Sequence, residues 1–167
     1  MTFELKPLHR AAIPAALEKA EHLRTLNEAR EAESICLDIL RVEPDHQKAL
    51  VTLLLALTDQ FGRKLTGKVK EAREILPRLK DEYSRSYYEG IICERKAKAH
   101  HKNGGPGSAH VAYHWFREAM ACFERAEAMR PPDNDEALLR WNTCARILMR
   151  NPDLEPAPVS PAESMLE

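Results

Sequence analysis

Four histidines flank the glycine-rich segment 103–108 and are the residues best suited to bind a metal: His100, His101, His110 and His114. His110 and His114 are four positions apart, so a helix through them would present two imidazoles on one face. No cysteine lies nearby to complete a closed zinc set, and no HExxH motif accompanies the histidines. Solvated histidines beside a loop are the favoured interpretation, a metal site is the alternative, and no cofactor is expected.

Catalytic motifs are not found in the sequence. It contains no glycine-rich phosphate loop, no GxSxG motif, and no pair of carboxylates at a spacing typical of an active site. Helical arrays, moreover, seldom enclose the dry pocket that catalysis requires. We therefore predict a protein that is not an enzyme.

Basic residues form two clusters that could contact phosphate groups. The first contains Arg95, Lys96, Lys98 and Lys102, and the second contains Arg63, Lys64, Lys68, Lys70 and Arg73. Glutamates interrupt the second cluster, and no aromatic residue alternates with the first as a base-stacking platform would. A solvated helix face is thus favoured over a nucleic-acid site, which stays open as an alternative function.

Helices are the elements that must position these residues. Seven segments carry apolar residues at intervals of three and four, the pattern of amphipathic helices. Pro77 lies inside the fourth segment, so we predict a kink or a break near Ile75. Frequent Ala, Leu, Glu, Lys and Arg, with only 6 glycines in 167 residues, agree with an all-α fold.

Two of the helical segments share one spacing of small and large residues. The second reads Ala32-x3-Cys36-x2-Ile39-x4-Pro44, and the sixth reads Ala119-x3-Phe123-x2-Ala126-x4-Pro131. This pattern resembles the tetratricopeptide repeat, in which small residues let paired helices approach closely and a large residue fills the hairpin. Ala20 and Gly90 stand at the family's small position in the helices that precede them.

The resemblance extends over about residues 13–150 and implies a solenoid of three helical hairpins followed by a C-terminal capping helix. The second hairpin matches weakly, because Leu54 replaces a small residue and about six residues are inserted before Ala72. The third has about seventeen extra residues between Gly90 and Ala119. A helical bundle with accidental spacing is the alternative.

In this family the first helix of each hairpin lines a concave groove that binds a peptide, so the resemblance implies a groove here. Carried over by register, its residues are Leu17, Glu21, Arg24, Lys48, Val51, Leu55, Thr58, Tyr87, Ile91 and Arg95. Apolar and basic side chains together suit a partner peptide with acidic and aliphatic residues. The alternative is that several of these side chains simply pack against helices five to seven.

Some family members clamp a partner's terminal carboxylate with Lys, Asn and Arg at fixed groove positions. The matching positions in this chain are Leu17, Glu21, Thr52, Ser84 and Tyr88. None of these side chains suits that role, so we do not expect recognition of a carboxyl terminus.

Net charge and cysteine pattern indicate the cellular compartment and the kinds of partner to expect. The formal net charge is −1, from 25 Lys and Arg against 26 Asp and Glu, which gives no overall field to attract nucleic acid or an anionic membrane. Four cysteines without a CxxC pair lie at apolar helix positions, as buried thiols of a reducing compartment do. With no signal-peptide pattern and no apolar run long enough to cross a bilayer, the chain is predicted to be cytoplasmic.

Three regions follow from these patterns. Residues 1–12 are a lead-in, residues 13–150 form the repeat-like domain, and residues 151–167 are an acidic, proline-rich tail that we expect to be disordered. The expected partner is another protein or a second copy of the chain. Met165 and Leu166 of the tail could also occupy the groove and inhibit binding.

Overall fold

The computed structural model describes residues 1–62 and 65–158, the side chains of residues 65 and 66 excepted. These residues form α-helices and two short 3-10 turns, Arg10–Ala12 and Leu76–Arg78, and contain no strand. The α-helices are α1 (Ile13–Thr25), α2 (Ala29–Val42), α3 (Gln47–Asp59), α4 (Leu65–Ile75), α5 (Glu82–Asn103), α6 (Ser108–Ala128) and α7 (Glu136–Arg150). The all-α prediction is confirmed for this part of the chain.

The helices end where local chemistry disfavours their continuation. Asn27 adopts a left-handed backbone conformation, with φ of 61°, in the turn between α1 and α2, a conformation that asparagine tolerates better than most residues. α4 changes to a 3-10 turn at Leu76, because the adjacent Pro77 lacks the N–H group that would extend the α-helix. The break predicted near Ile75 is therefore confirmed.

Each helix packs against the next one along the chain. α3 touches both α1 and α5, so these three helices lie side by side. α5 and α6 are the longest helices and have the most extensive contact. The length of α5 and α6 therefore produces an extended paired surface.

The buried side chains form two clusters. One lies mainly among α1 to α4 and is aliphatic, and the other lies among α5 to α7 and contains most of the buried aromatic rings. Leu55 and Tyr88, both half-buried, pack against both clusters. The two clusters therefore meet where α3 adjoins α5.

The residues of the shared spacing occupy the tightest positions in both clusters. Ala32, Cys36 and Ile39 are fully buried, and so are their counterparts Ala119, Phe123 and Ala126. A Cβ atom built on Gly90 would lie only 2.5 Å from Cε1 of Phe123. Glycine is thus required at position 90 for the Phe123 ring to lie against α5.

The chain continues to pack beyond α7. Leu154 is buried in the second cluster, and the Glu155 carbonyl oxygen lies 3.0 Å from Nδ1 of His110. Residues 151–158 therefore lie against the helical domain, although the sequence assigns them to a disordered tail. Residues 159–167, with Met165 and Leu166, lie outside the described residues, as do Arg63 and Lys64 of the second basic cluster.

Candidate functional site

The structure distributes the predicted groove residues over three depths. Leu17, Thr58, Tyr87 and Ile91 are buried, where a partner would not reach them. Arg24, Val51, Leu55 and Arg95 are half-buried, and Glu21 and Lys48 are exposed. The accessible part of the predicted groove is therefore smaller than the full predicted set.

A pocket of about 390 Å³ opens between α1, α3 and the start of α5. Its lining is Glu21, Gln47, Lys48, Val51, Thr52, Leu79, Lys80, Asp81, Ser84 and Tyr88. Three of these residues, Glu21, Lys48 and Val51, belong to the predicted groove. Thr52, Ser84 and Tyr88 were placed in the family's groove register at the carboxylate-clamp positions. We call this pocket the groove pocket.

Four lining residues were missed by the sequence analysis: Gln47, Leu79, Lys80 and Asp81. Three of them belong to the connection between Pro77 and α5, which the repeat pattern treats only as a linker. Pro77 is the sequence signal that could have identified them. Because the α-helix stops there, the following residues leave the helix axis and pass the ends of neighbouring helices.

Hydrogen bonds fix this connection to the start of α3. The Gln47 side chain donates from Nε2 to the Arg78 carbonyl at 3.2 Å and accepts from the Lys80 backbone N–H at 2.9 Å. Asp81 caps α5 by accepting from the backbone N–H of Ser84 at 3.0 Å and from the Ser84 hydroxyl. One wall of the groove pocket is thus pre-formed.

An ion-pair network lies farther along α3 and changes the charge of the predicted groove. Asp59 pairs with Nε of Arg24 at 2.7 Å and with Nη1 of Arg95 at 3.5 Å. Both arginines are therefore partly neutralised by the same carboxylate. Among the described residues, Lys48 and Lys80 have no carboxylate partner, so they are the cations that the groove pocket can offer a ligand.

The apolar part of the groove pocket is formed by Val51, Leu79 and Tyr88. Tyr88 packs against both clusters, and burial raises the pKa of its hydroxyl to about 12. Tyr88 therefore remains neutral and offers an aromatic surface with a hydroxyl group at its edge.

A second network, absent from the sequence analysis, links α5 to α7. Glu94 is completely buried and pairs with Lys98 on α5 and with Arg140 on α7, whose Nη1 lies 3.4 Å from Oε1. Although burial opposes it, the Glu94 carboxylate raises the pKa of Arg140. The other Glu94 oxygen, Oε2, has no hydrogen-bond partner in the described chain. Only the assembled fold reveals this pair, because Glu94 and Arg140 are 46 positions apart.

Three of the four histidines flanking the glycine-rich segment have different surroundings. His110 lies against the Glu155 carbonyl, and the His114 ring meets Trp115 edge-on with centroids 5.0 Å apart. His100 is half-buried, and burial followed by the nearby Lys96 ammonium lowers its pKa. Within the described residues, no three His, Cys, Asp or Glu side chains are grouped closely enough to hold a metal.

The four cysteines are free and buried. Burial raises the pKa of Cys36 and of Cys144 to about 12, which keeps both thiols protonated near neutral pH. Across the described residues, no helix combines the length and apolarity needed to cross a bilayer.

Comparison of the chain with known protein families, curated proteins and solved structures gave no match. The functional interpretation therefore depends on the geometry of the groove pocket and on the repeat-like spacing.

Proposed function

We propose that the chain is a non-enzymatic, tetratricopeptide-like interaction module that binds a peptide segment of a partner protein. The observation that carries this proposal is the groove pocket. Helices distant in sequence converge on an apolar surface of Val51, Leu79 and Tyr88. Beside it stand Lys48 and Lys80, which pair with no carboxylate in the described part of the chain. This combination of an apolar floor and a charged rim is typical of peptide-recognition grooves.

The packing of the repeat-like positions supports the same proposal. Small residues at the close approach of paired helices are buried, and α1, α3 and α5 lie side by side, as the first helices of successive tetratricopeptide hairpins do. The assignment of a binding role to their shared surface is an analogy with that family.

The pocket chemistry defines the expected ligand. An aliphatic side chain of the partner would lie against Val51 and Tyr88, and its burial contributes about 1.5–3 kcal/mol. A carboxylate beside it would approach Lys48 and Lys80. Exposed ion pairs contribute at most about 1 kcal/mol, so the lysines would act mainly on specificity and association rate.

Selection from a random peptide library on the immobilised full chain tests this proposal. We expect enriched peptides to combine an aliphatic residue with Asp or Glu, and to bind with affinity measurable by fluorescence anisotropy. Lys48→Glu should weaken their binding about tenfold, because one favourable charge contact becomes a repulsive one. Lys48 is exposed, so this change leaves the packed clusters intact.

Arg146→Glu provides the matched control, because it reverses one positive charge as Lys48→Glu does. Arg146 is exposed on α7 and does not line the groove pocket. It should leave the affinity unchanged. The proposal fails if no peptide is enriched, or if the enriched peptides bind both variants as well as the unmodified chain.

A further inference from the structure

A cation–aromatic cluster lies on a different face of α5 from the groove pocket. The Lys96 ammonium lies 3.4 Å from the ring centroid of Trp115, and the Arg73 guanidinium lies 5.5 Å from the same centroid. These side chains come from α5, α6 and α4 respectively, and the His114 ring stands edge-on to the indole. We call Arg73, Lys96, His114 and Trp115 the indole cluster; it shares no residue with the groove pocket.

The indole cluster has an excess of positive charge. Within the described chain, neither Arg73 nor Lys96 pairs with a carboxylate, whereas the neighbouring Glu71, Glu74 and Glu89 pair with other cations. Burial, followed by the nearby Arg73 charge, lowers the pKa of Lys96. Like charges held together without a counter-ion repel one another, and a bound anion would relieve that repulsion.

The donors in the cluster suit a compact oxyanion. A guanidinium offers a planar fork of N–H donors, an ammonium offers three more, and neither group can accept a hydrogen bond. Lys96 lies over the indole ring, which removes part of the surface on which a nucleic-acid base would stack. The cluster is also confined to one point on the surface, whereas a nucleic acid is bound along a track of positive charge. These features favour a single phosphate group over a nucleic-acid strand.

A cavity that shares His114 with the indole cluster offers space for a side chain beside a bound phosphate. It has a volume of about 430 Å³ and lies between α6 and the segment that follows α7. Its lining is His110, Val111, Tyr113, His114, Arg117, Pro156 and Ala157. His114 belongs to both the cavity and the indole cluster. A peptide could therefore place its phosphate on the cluster and a neighbouring apolar side chain in the cavity.

We propose that the indole cluster binds a phosphate monoester, as on phosphoserine or phosphothreonine, in a partner peptide. Arg73 and Lys96 hold the phosphate oxygens, Trp115 holds the two cations in place, and the adjacent cavity receives a flanking side chain. This site is independent of the groove pocket, so either can fail its test without the other.

Trp115 itself can report binding. The chain has two tryptophans, and Trp141 is half-buried with its Nε1 donating to Glu124 at 2.8 Å. Trp141→Phe in the full chain leaves Trp115 as the sole indole fluorophore. Inorganic phosphate should then change its emission saturably, beyond the effect of potassium chloride at equal ionic strength. A phosphoserine peptide with flanking aliphatic residues should bind more tightly than inorganic phosphate and at least about tenfold more tightly than its unphosphorylated twin.

Charge removal distinguishes the site from general screening. Arg73→Met should weaken phosphate binding about tenfold, as expected for the loss of one charge-assisted hydrogen bond, and Lys96→Met should do the same. Lys70→Met is the matched control, because Lys70 is exposed on the same helix and pairs with Glu74; it should change the affinity by less than about twofold. Helicity measured by circular dichroism identifies any variant that fails to fold, and Lys96→Arg should retain binding in a folded protein.

Several outcomes would overturn the proposal. Equal emission changes with phosphate and chloride would show screening only, and equal affinities for the two peptides would remove the phosphate from recognition. Tighter binding to an oligonucleotide or to phosphoinositide vesicles than to the phosphopeptide would assign the cluster to a different partner. Unchanged binding in both Arg73→Met and Lys96→Met would place the site elsewhere.

Discussion

The two halves of the molecule pair their helices with different residues. In the first hairpin Ala20 and Cys36 stand at the positions that Gly90 and Phe123 hold in the third. The first pair has two small side chains, whereas the second has a glycine, which lacks a side chain, and the large ring of Phe123. In the C-terminal half the close approach of α5 and α6 therefore depends on one specific pair of residues, Gly90 and Phe123.

The halves also differ in how they bury charge. Asp59 in the N-terminal half and Glu94 in the C-terminal half each pair with two cations. The Asp59 side chain is 19% exposed, whereas that of Glu94 is 0% exposed. A carboxylate with access to water can be solvated when its partners are lost, and a fully buried one cannot. Loss of the two paired cations should therefore lower the free energy of unfolding more at Glu94 than at Asp59.

Removing both cations from each carboxylate should produce the largest effect. Lys98→Met with Arg140→Met leaves Glu94 buried without a counter-charge and should lower the free energy of unfolding by about 3–5 kcal/mol. Arg24→Met with Arg95→Met leaves Asp59 partly hydrated and should lower it by about 1 kcal/mol. Urea denaturation monitored by circular dichroism measures both values.

A third substitution separates charge burial from lost packing. Glu94→Leu added to the Lys98→Met and Arg140→Met variant should restore most of the lost stability, because an apolar side chain of similar size needs no counter-charge. Equal losses in the two double variants, or no recovery with Leu at position 94, would contradict the contrast between the halves.

Gly90→Ala should have the next largest effect. The new Cβ would lie 2.5 Å from Cε1 and 2.7 Å from Cδ1 of Phe123, a ring that is 1% exposed and has little room to move. Overpacking of this kind outweighs the gain in helix propensity and should lower the free energy of unfolding by about 2 kcal/mol. Thermal and urea denaturation measure the change.

Gly67→Ala is the control of opposite sign. Gly67 lies in the first turn of α4 and is exposed. Apart from its chain neighbours and its own helix backbone, no described atom lies within 4 Å of the position that its Cβ would take. Alanine there should stabilise the chain by about 0.5–1 kcal/mol. Phe123→Leu should reduce the penalty of Gly90→Ala, so additive effects of the two changes would argue against the ring as the cause.

The sequence predicts much of the helical fold and only part of the candidate sites, for a physical reason. Periodicity identifies the face of a helix that is buried, as it does for Ala32 and Ala119, and proline identifies a break, as Pro77 does. Periodicity does not identify which helix that face meets. The sequence therefore does not predict that Lys96 on α5 lies over Trp115 on α6, because this contact requires the two helices to pack together. Glycine is a turn signal in a sequence, yet Gly67 lies inside α4.

Sequence periodicity also does not identify which of two neighbouring side chains faces the groove pocket. The sequence selects Tyr87 as a groove contact and places Tyr88 only at a clamp position it does not suit, whereas Tyr88 is the tyrosine that lines the groove pocket. Neighbouring residues on a helix differ in direction by roughly 100°. A groove register carried over from a regular repeat is therefore displaced by a shift of one residue. Leu154 was assigned to the tail because proline surrounds it, yet its side chain is buried.

A predicted effect smaller than that of Gly90→Ala lies at the junction between the halves, where Asp81 caps α5. The hydrogen bonds from Ser84 lower the pKa of the Asp81 carboxyl group. Because this pKa is lower in the folded than in the unfolded chain, the ionised group stabilises the fold at neutral pH. That contribution is lost as the pH falls through the folded-state pKa. Asp81→Ala should therefore lower the free energy of unfolding by about 1 kcal/mol at pH 7.

The pH dependence separates the cap from other effects of this substitution. Below about pH 4 the stability difference between Asp81→Ala and the unmodified chain should shrink, since a protonated Asp81 accepts hydrogen bonds more weakly. Asp81→Asn keeps a neutral acceptor and should lose only the pH-dependent part. A difference that stays constant from pH 7 to pH 3 in urea titrations would mean that Asp81 acts through packing against the groove pocket. The junction would then be stabilised by packing, as the aliphatic N-terminal cluster is, and not by the charge of Asp81.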